Sequence, residues 1–487
     1  MTPEEIADLI KQANGAGQTA WLLVASALVL LMTPGLAFFY GGLTRAKSTL
    51  NMMMMSFASI GIVSIMWVLI GFSLTFGSTK GRLVGNPGDY DFLNGLGLDK
   101  VGTFDFTGNV PDAVFVGFQM MFAIITVALI SGAIADRAKF GGWVLFSILW
   151  ITIVYFPVAH WVFNFGSLAG EGDTVAGGAA YLFKAGTGGW IVNKLGAVDL
   201  AGGTAVHINA GAAALALVFV LGKRRGFGTQ AFKPHNVPFV MLGAALLWFG
   251  WFGFNAGSVL AANANTGLAF LATQVATATA ALAWIGVERL RDGHATGVGF
   301  ASGAVAGLVA ITPACGSVNP MGAMAVGAIA GGACCLAVGM KSRFGFDDSL
   351  DVVGVHLVGG IVGTLSIGLF ATNDIIGAPV GAEVNGLFFG GGLTQLGKQA
   401  IAAGAVLAYS FVLTFIIGTI VDKTIGFRIS EEDEVTGIDL TTHGESAYEF
   451  TTFGGGTSLV GAGHGAPGSP GAGAGPGAAP GAAKVEV

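Results

Sequence analysis

The chain has 487 residues, of which 53% are apolar and only 10% charged, with 81 glycines and a formal net charge of −6; its mean hydropathy is +0.73. Soluble globular chains carry about 25% charged residues, so this composition is that of an integral membrane protein and excludes a water-soluble enzyme or a nucleic-acid binder. The three cysteines, Cys315, Cys334 and Cys335, lie inside apolar stretches and suggest neither a disulfide framework nor a zinc pattern.

Taken in chain order, residues 1–19 contain Glu4, Glu5 and Asp8 and lack the basic start of a signal peptide, so the first apolar run reads as a retained transmembrane helix. A spanning helix needs about 20 apolar residues at about 1.5 Å each. Eleven such runs occur, near 20–41, 51–76, 113–135, 142–166, 200–222, 237–259, 265–288, 296–314, 320–339, 352–372 and 398–422. An odd number of crossings puts the termini on opposite sides. With the N-terminus outside, 15 of the 22 Lys and Arg residues fall on the inner side, the orientation that the positive-inside rule selects. The predicted fold is all-α, with an extracellular segment 1–19, an eleven-helix membrane domain 20–425 and a cytosolic segment 426–453. The Gly/Ala/Pro-rich stretch 454–487 cannot bury a core and is expected to be disordered. Small residues at 303–307 and 327–333 are expected to let helices pack closely where lipid supplies no hydrophobic drive.

Ionisable groups inside membrane spans are costly and face a cavity or the bundle interior. Three histidines fall in predicted spans: His160, His207 and His356. For His160 taken alone, a hydrogen bond to neighbouring backbone and a functional role are equally open. His207 follows Asp199 by eight residues in DLAGGTAVHINAG, and His356 follows Asp351 by five in DVVGVHLVGG, distances of about 12 and 7.5 Å along a helix. Both imidazoles then lie near mid-membrane depth. Span five runs inward and span ten outward, so two five-span halves must be inverted relative to each other, with the eleventh helix extra; the working site of such repeats lies at their interface. Asp199 reads either as a helix N-cap or as a functional carboxylate, and the two roles are compatible. Asp347 and Asp348 read as caps at the inner mouth, a reading that also suits Asp351.

Metal binding needs three or four converging ligands, whereas Val, Gly, Ala and Thr surround both histidines; no metal or cofactor is expected. A neutral imidazole carries one donor and one acceptor, which suits a small polar molecule or a proton. Transfer of a bare monovalent cation along so apolar a lining costs several kcal/mol, a cost that a cation able to shed a proton avoids. On the third span Phe118 and Phe122 are four residues apart and share a helix face. On the sixth, Phe254 precedes Ser258 by the same interval. Phenyl faces attract ammonium-type cations by roughly 0.5 to 2 kcal/mol, and a serine hydroxyl adds an acceptor.

The stretches AFFYGGLTRAKS (37–48), FQMMFAIITVALISGAIADR (118–137), DLAGGTAVHINAG (199–211), WFGFNAGS (251–258), DDSLDVVGVHLVGGIVGTL (347–365) and ISEEDEVTGIDLTTHGESAY (429–448) together resemble the ammonium transporter, methylammonium permease and Rhesus family, most closely its bacterial ammonium transporter branch. The resemblance implies a plasma-membrane homotrimer with one pore per subunit, carrying ammonium or ammonia, with methylammonium as an analogue, and it implies no enzyme activity. By the same resemblance His207 and His356 are twin pore histidines, and Phe122 and Phe254 a stacked gate. Phe118, Phe163, Ser258 and Asp199 then belong to the external recruitment site. The chain departs from the family at AHWVF (159–163), where Phe163 stands in the place of a tryptophan. The loop 167–198 is expected to cover part of the vestibule, and 429–448 resembles the region through which PII regulatory proteins act. Three functions remain open: an electrogenic ammonium transporter, a Rhesus-like passive ammonia channel, and a membrane sensor that binds ammonium without appreciable transport.

Overall fold

The computed structural model describes residues 1–81, 83–97, 103–170, 173, 183–373 and 384–448. The tail 454–487 and part of the 167–198 loop lie outside the described residues, so neither expectation is addressed. Residues 1–447 fold as one unit. Among the described residues its frame is eleven apolar helical runs: α1 (Pro3–Leu43), α2 (Ala46–Phe76), α3 (Asp112–Ile134), α4 (Phe140–Phe163), α5 (Gly203–Leu221), α6 (Val237–Gly257), α7 (Ala264–Asp292), α8 (Gly297–Ile311), α9 (Pro320–Phe344), α10 (Val353–Phe370) and α11 (Thr394–Thr424). Ten are long enough to cross a membrane, and α8 is shorter. The sequence places the end of α8 at 314, but the helix stops at Ile311, where Pro313 brings no N–H to carry the hydrogen-bond ladder on. A pair of two-residue strands, β1 (Thr79–Lys80) and β2 (Val84–Gly85), is antiparallel.

The backbone of residues 3–19 forms the N-terminal part of the same helix as the first span. Thr2 and Glu5 form a capping box, Pro3 occupies the first turn, and α1 runs on for 41 residues, since the proline lacks only an N–H that the first turn leaves unbonded anyway. Helix packing follows the small-residue stripes. A Cβ on Gly327 or Gly331 of α9 would stand 2.3 Å from the carbonyl oxygen of Ala276 or Ala280 on α7. Gly303 and Gly307 bring α8 equally close to α7.

At the centre, α5 and α10 cross antiparallel through a reciprocal contact. A Cβ on Gly211 would lie 2.5 Å from the Leu357 backbone nitrogen, and one on Gly360 would lie 3.0 Å from the Ile208 side chain. Each glycine stands four residues after a histidine and meets the residue that follows the other histidine. This is the contact that a two-fold relation between inverted halves requires. The eleventh helix packs on both α5 and α10.

Candidate functional site

The two histidines are held by matching devices. Asp199 accepts hydrogen bonds from the amides of Gly202 (2.8 Å), Gly203 (2.7 Å) and Thr204 (2.7 Å) and from the Thr204 hydroxyl, which satisfies the first orphan N–H groups of α5. Gly202 has φ +112°, a turn that a side chain would strain. Asp348 does the same for α10, accepting from the amides of Val352 (3.1 Å) and Val353 (2.7 Å). Both helices open with π-helical turns, Gly203–Ile208 and Val353–Leu357, which carry His207 and His356; the wider turn offsets a side chain from the α-helical register.

This corrects the pairing of Asp351 with His356. The counterpart of Asp199 is Asp348, eight residues before its histidine as Asp199 is before His207. The repeat D-x7-H-x3-G was legible in both halves, and the shorter spacing to Asp351 obscured it. Asp351 pairs with Lys341 at 2.5 Å. Asp347 is not a solvated cap either: it is fully buried and meets Arg224 at 2.8 Å, as a buried carboxylate requires.

The two rings stack at 5.4 Å and 22°, with Nδ1 of His207 3.3 Å from Nδ1 of His356. Two neutral imidazoles can share that contact only if one donates and the other accepts, so their Nε2 atoms must differ in the same way. Nε2 of His207 is buried and has no partner among the described residues. A second ring, not anticipated from the sequence, supports His207: Trp251 stacks on it at 5.3 Å and 19° while its indole N–H donates to Thr312 at 2.7 Å. Its signal was the three-residue spacing to Phe254. Both histidines, Trp251 and Phe254 border a small cavity of about 10 Å³ whose other walls are apolar side chains, room for about one water-sized molecule.

Beyond Trp251 the rings continue in file. Phe254 lies 6.1 Å from His207 and stacks on Phe122 at 4.2 Å and 28°. Phe122 is met edge-on by Phe118 at 4.9 Å and by Phe163 at 6.2 Å. Ser258 follows on α6, its hydroxyl donating to the Phe254 carbonyl at 2.7 Å, so its lone pairs remain to accept. A Cβ on Gly202 would lie 3.3 Å from the Phe163 ring, which seats the Asp199 turn against the aromatic cluster. Asp199 differs from the other residues expected to recruit a cation in that both its oxygens are taken by the start of α5. His160 is apart, with Nδ1 2.8 Å from the Thr75 carbonyl.

Around the start of α10 the loops are bound by charge. Arg224 meets Asp347 at 2.8 Å and Asp136 at 3.0 Å, Arg45 meets Asp136 at 3.3 Å, and Arg428 meets Glu434 at 3.2 Å. Asp439 accepts from the amides of Leu50 (2.9 Å) and Asn51 (2.8 Å), tying the C-terminal segment to α2. Burial raises the carboxyls of Asp136 and Asp347, yet Arg224, with Arg45 at the first and Arg137 at the second, holds both below their ordinary value.

Ten apolar helices long enough to cross a membrane, packed with an eleventh around a ring-lined cavity, are the architecture of a multi-pass membrane protein. The family model described as Ammonium Transporter Family matches residues 20–448, and the chain belongs to that family. It is 57% identical over 454 residues to the ammonium transporter of Mycobacterium tuberculosis, covering 90% of this chain and 91% of that one. It is 44% identical over 434 residues to that of Bacillus subtilis, covering 89% and 98%. Among solved structures, Saccharomyces cerevisiae Mep2 superposes with a TM-score of 0.74 at 33% identity, covering 90% of this chain and 92% of that one. A protein titled Sensor Amt Protein superposes at 0.76 and 28% identity, covering 88% and 99%.

Proposed function

We propose that the chain takes up ammonium electrogenically by separating it into ammonia and a proton. Ammonium is held at the Asp199 end, taken as the outer face, by the phenyl faces of Phe118 and Phe163 and the Ser258 hydroxyl, with Asp199 supplying negative potential. It gives up its proton at the Phe122/Phe254 stack, since the charged form loses its hydration there without replacement ligands. Neutral ammonia then passes His207 and His356, which offer one donor and one acceptor in place of water. The histidines either orient the ammonia or relay the separated proton. The observation that carries this reading is the reciprocal crossing of α5 and α10, which sets two imidazoles side by side on a cavity that admits one small molecule. In the same reading the protein is a plasma-membrane homotrimer with its N-terminus outside. Segment 1–19 is then extracellular, 20–425 forms the pathway, and 426–453 is a cytosolic regulatory segment open to a PII-type protein, followed by the tail 454–487.

Solid-supported-membrane electrophysiology of the reconstituted full chain tests it, comparing ammonium, methylammonium and potassium. Currents with ammonium and methylammonium and none with potassium are expected, and loss of ammonium current or of potassium exclusion in His207→Ala. A His207→Ala variant with wild-type current and selectivity would overturn the mechanism. Silent ammonia flux would instead assign a passive channel. Saturable binding without flux would assign a sensor, a reading favoured by the likeness to the protein titled as one.

A further inference from the structure

Two glutamines on α11, Gln395 and Gln399, are buried, and the second uses the full capacity of its amide. Its Oε1 accepts from the Val198 amide (2.8 Å) and from Gln395 Nε2 (3.0 Å). Its Nε2 donates to the carbonyls of Val198 (2.7 Å) and Thr364 (3.1 Å). A primary amide has two donors and two acceptor sites, and all four are matched. Gln395 Nε2 also reaches the Gly196 carbonyl at 3.3 Å.

The partners give this network its meaning. Val198 immediately precedes Asp199, the cap of the His207 helix, and Thr364 lies on α10 eight residues after His356. One side chain from the helix outside the paired halves thus clamps both backbone groups of a residue in the first half and a carbonyl in the second. Buried amides within a membrane bundle are costly unless satisfied, and an apolar side chain at 399 would pack without serving Val198. The Val198–Gly202 turn also seats Phe163, so its position governs the cation site as well as the start of α5.

We propose that Gln399, supported by Gln395, is a positioning residue for ammonium transport: it fixes the spacing between the Asp199 turn and α10. This rests on the reading of the pathway given above. The test measures half-saturating ammonium and methylammonium concentrations from currents of the reconstituted full chain, with thermal stability recorded in parallel. Gln399→Met keeps the length of the side chain and removes every hydrogen bond; half-saturation is expected to rise about tenfold, with a changed ammonium-to-methylammonium ratio, since small misplacements at a site are amplified in rate. Gln399→Glu, when protonated, offers Val198 the same acceptor and donor and should fall between Gln399→Met and wild type. Gln395→Met should shift half-saturation in the same direction by a smaller factor. Lowered stability with wild-type half-saturation and ratio in Gln399→Met would reduce Gln399 to a packing role and overturn the proposal. Should Gln399→Met fail to accumulate, wild-type half-saturation in both other variants does the same. The pathway reading fails separately, through His207→Ala.

Discussion

At the Asp199 end, the carboxylate that caps α5 is met by three amides and a hydroxyl, and the neighbouring loop is held by neutral glutamine amides. At the Asp348 end, the carboxylate that caps α10 lies beside the Lys341–Asp351 pair and next in sequence to Asp347, which is locked to Arg224. The same local device, an acceptor eight residues before a histidine, therefore works in a neutral setting and in a charged one. Capping needs only an oxygen at the right place; the charge around that oxygen is free to serve something else. Left uncompensated at one end, it is the charge that the proposed mechanism uses to attract a cation. Compensated at the other, it binds loops and the C-terminal segment together.

Breaking the charged end should have the largest effect on stability. Arg224→Met removes the closest cation from Asp136 and Asp347, and thermal unfolding in detergent is expected to show a loss of about 3 to 5 kcal/mol, the usual cost of stranding buried charges. No comparable loss is expected from Asp199→Asn. The same carboxylates set an acid limit. Because their folded-state pKa values are depressed, the stability they contribute is complete above the unfolded value of about 3.9 and is lost as pH falls through it toward the folded values. Melting temperatures recorded from about pH 6 down to about pH 3 should fall at the acid end, less steeply in Asp347→Asn.

At the crossing between the two ends, Gly211→Ala drives a methyl to 2.5 Å from Leu357 backbone, whereas in Gly360→Ala the nearest atoms are the Ile208 side chain at 3.0 Å and the backbone of Gly203 and Ile208 at 3.1 Å, tight contacts that small shifts relieve. Overpacking of this kind costs about 1 to 3 kcal/mol, so Gly211→Ala should lose transport and stability and Gly360→Ala much less; equal tolerance of both would contradict the reciprocal contact as described. The contrast between the caps is sharpened by paired amides. Asp199→Asn removes the charge and one of two accepting oxygens, and should raise half-saturating ammonium about tenfold, about 1.4 kcal/mol. Asp348→Asn, which loses one accepting oxygen in the same way, should leave it nearly unchanged, so that the difference between them reads the charge. The smallest effect is expected from Phe163→Trp, whose larger π face should tighten the cation site by about 0.5 to 1 kcal/mol, read as a lower half-saturation.

Much of this arrangement was legible in the chain. Eleven apolar runs, two histidines in opposed halves and phenylalanines at helical spacing define a membrane bundle with a polar pair at its centre, because each signal is local and periodic. The correct partner of His356 was written in the sequence as well, but three aspartates within five residues hid it: spacing alone cannot say which of them turns its oxygens to the helix start and which pair with Arg224 and Lys341. Trp251 was similarly visible yet indistinct among apolar neighbours. Gln395 and Gln399 gave no sign of their role, since the backbone groups they bind lie 35 to 201 positions away.

Hydropathy, cap residues and glycine spacing fixed which segments become helices and which faces can approach, for these depend on contacts within a few turns. Tertiary structure alone decided that Gly211 meets Leu357 and Gly360 meets Ile208 across one crossing, that two imidazoles meet at 3.3 Å, and that the helix left over from the two halves hydrogen-bonds to both of them. Those outcomes depend on which distant backbone groups remain unbonded after the helices form, and only the assembled bundle determines which side chains reach them.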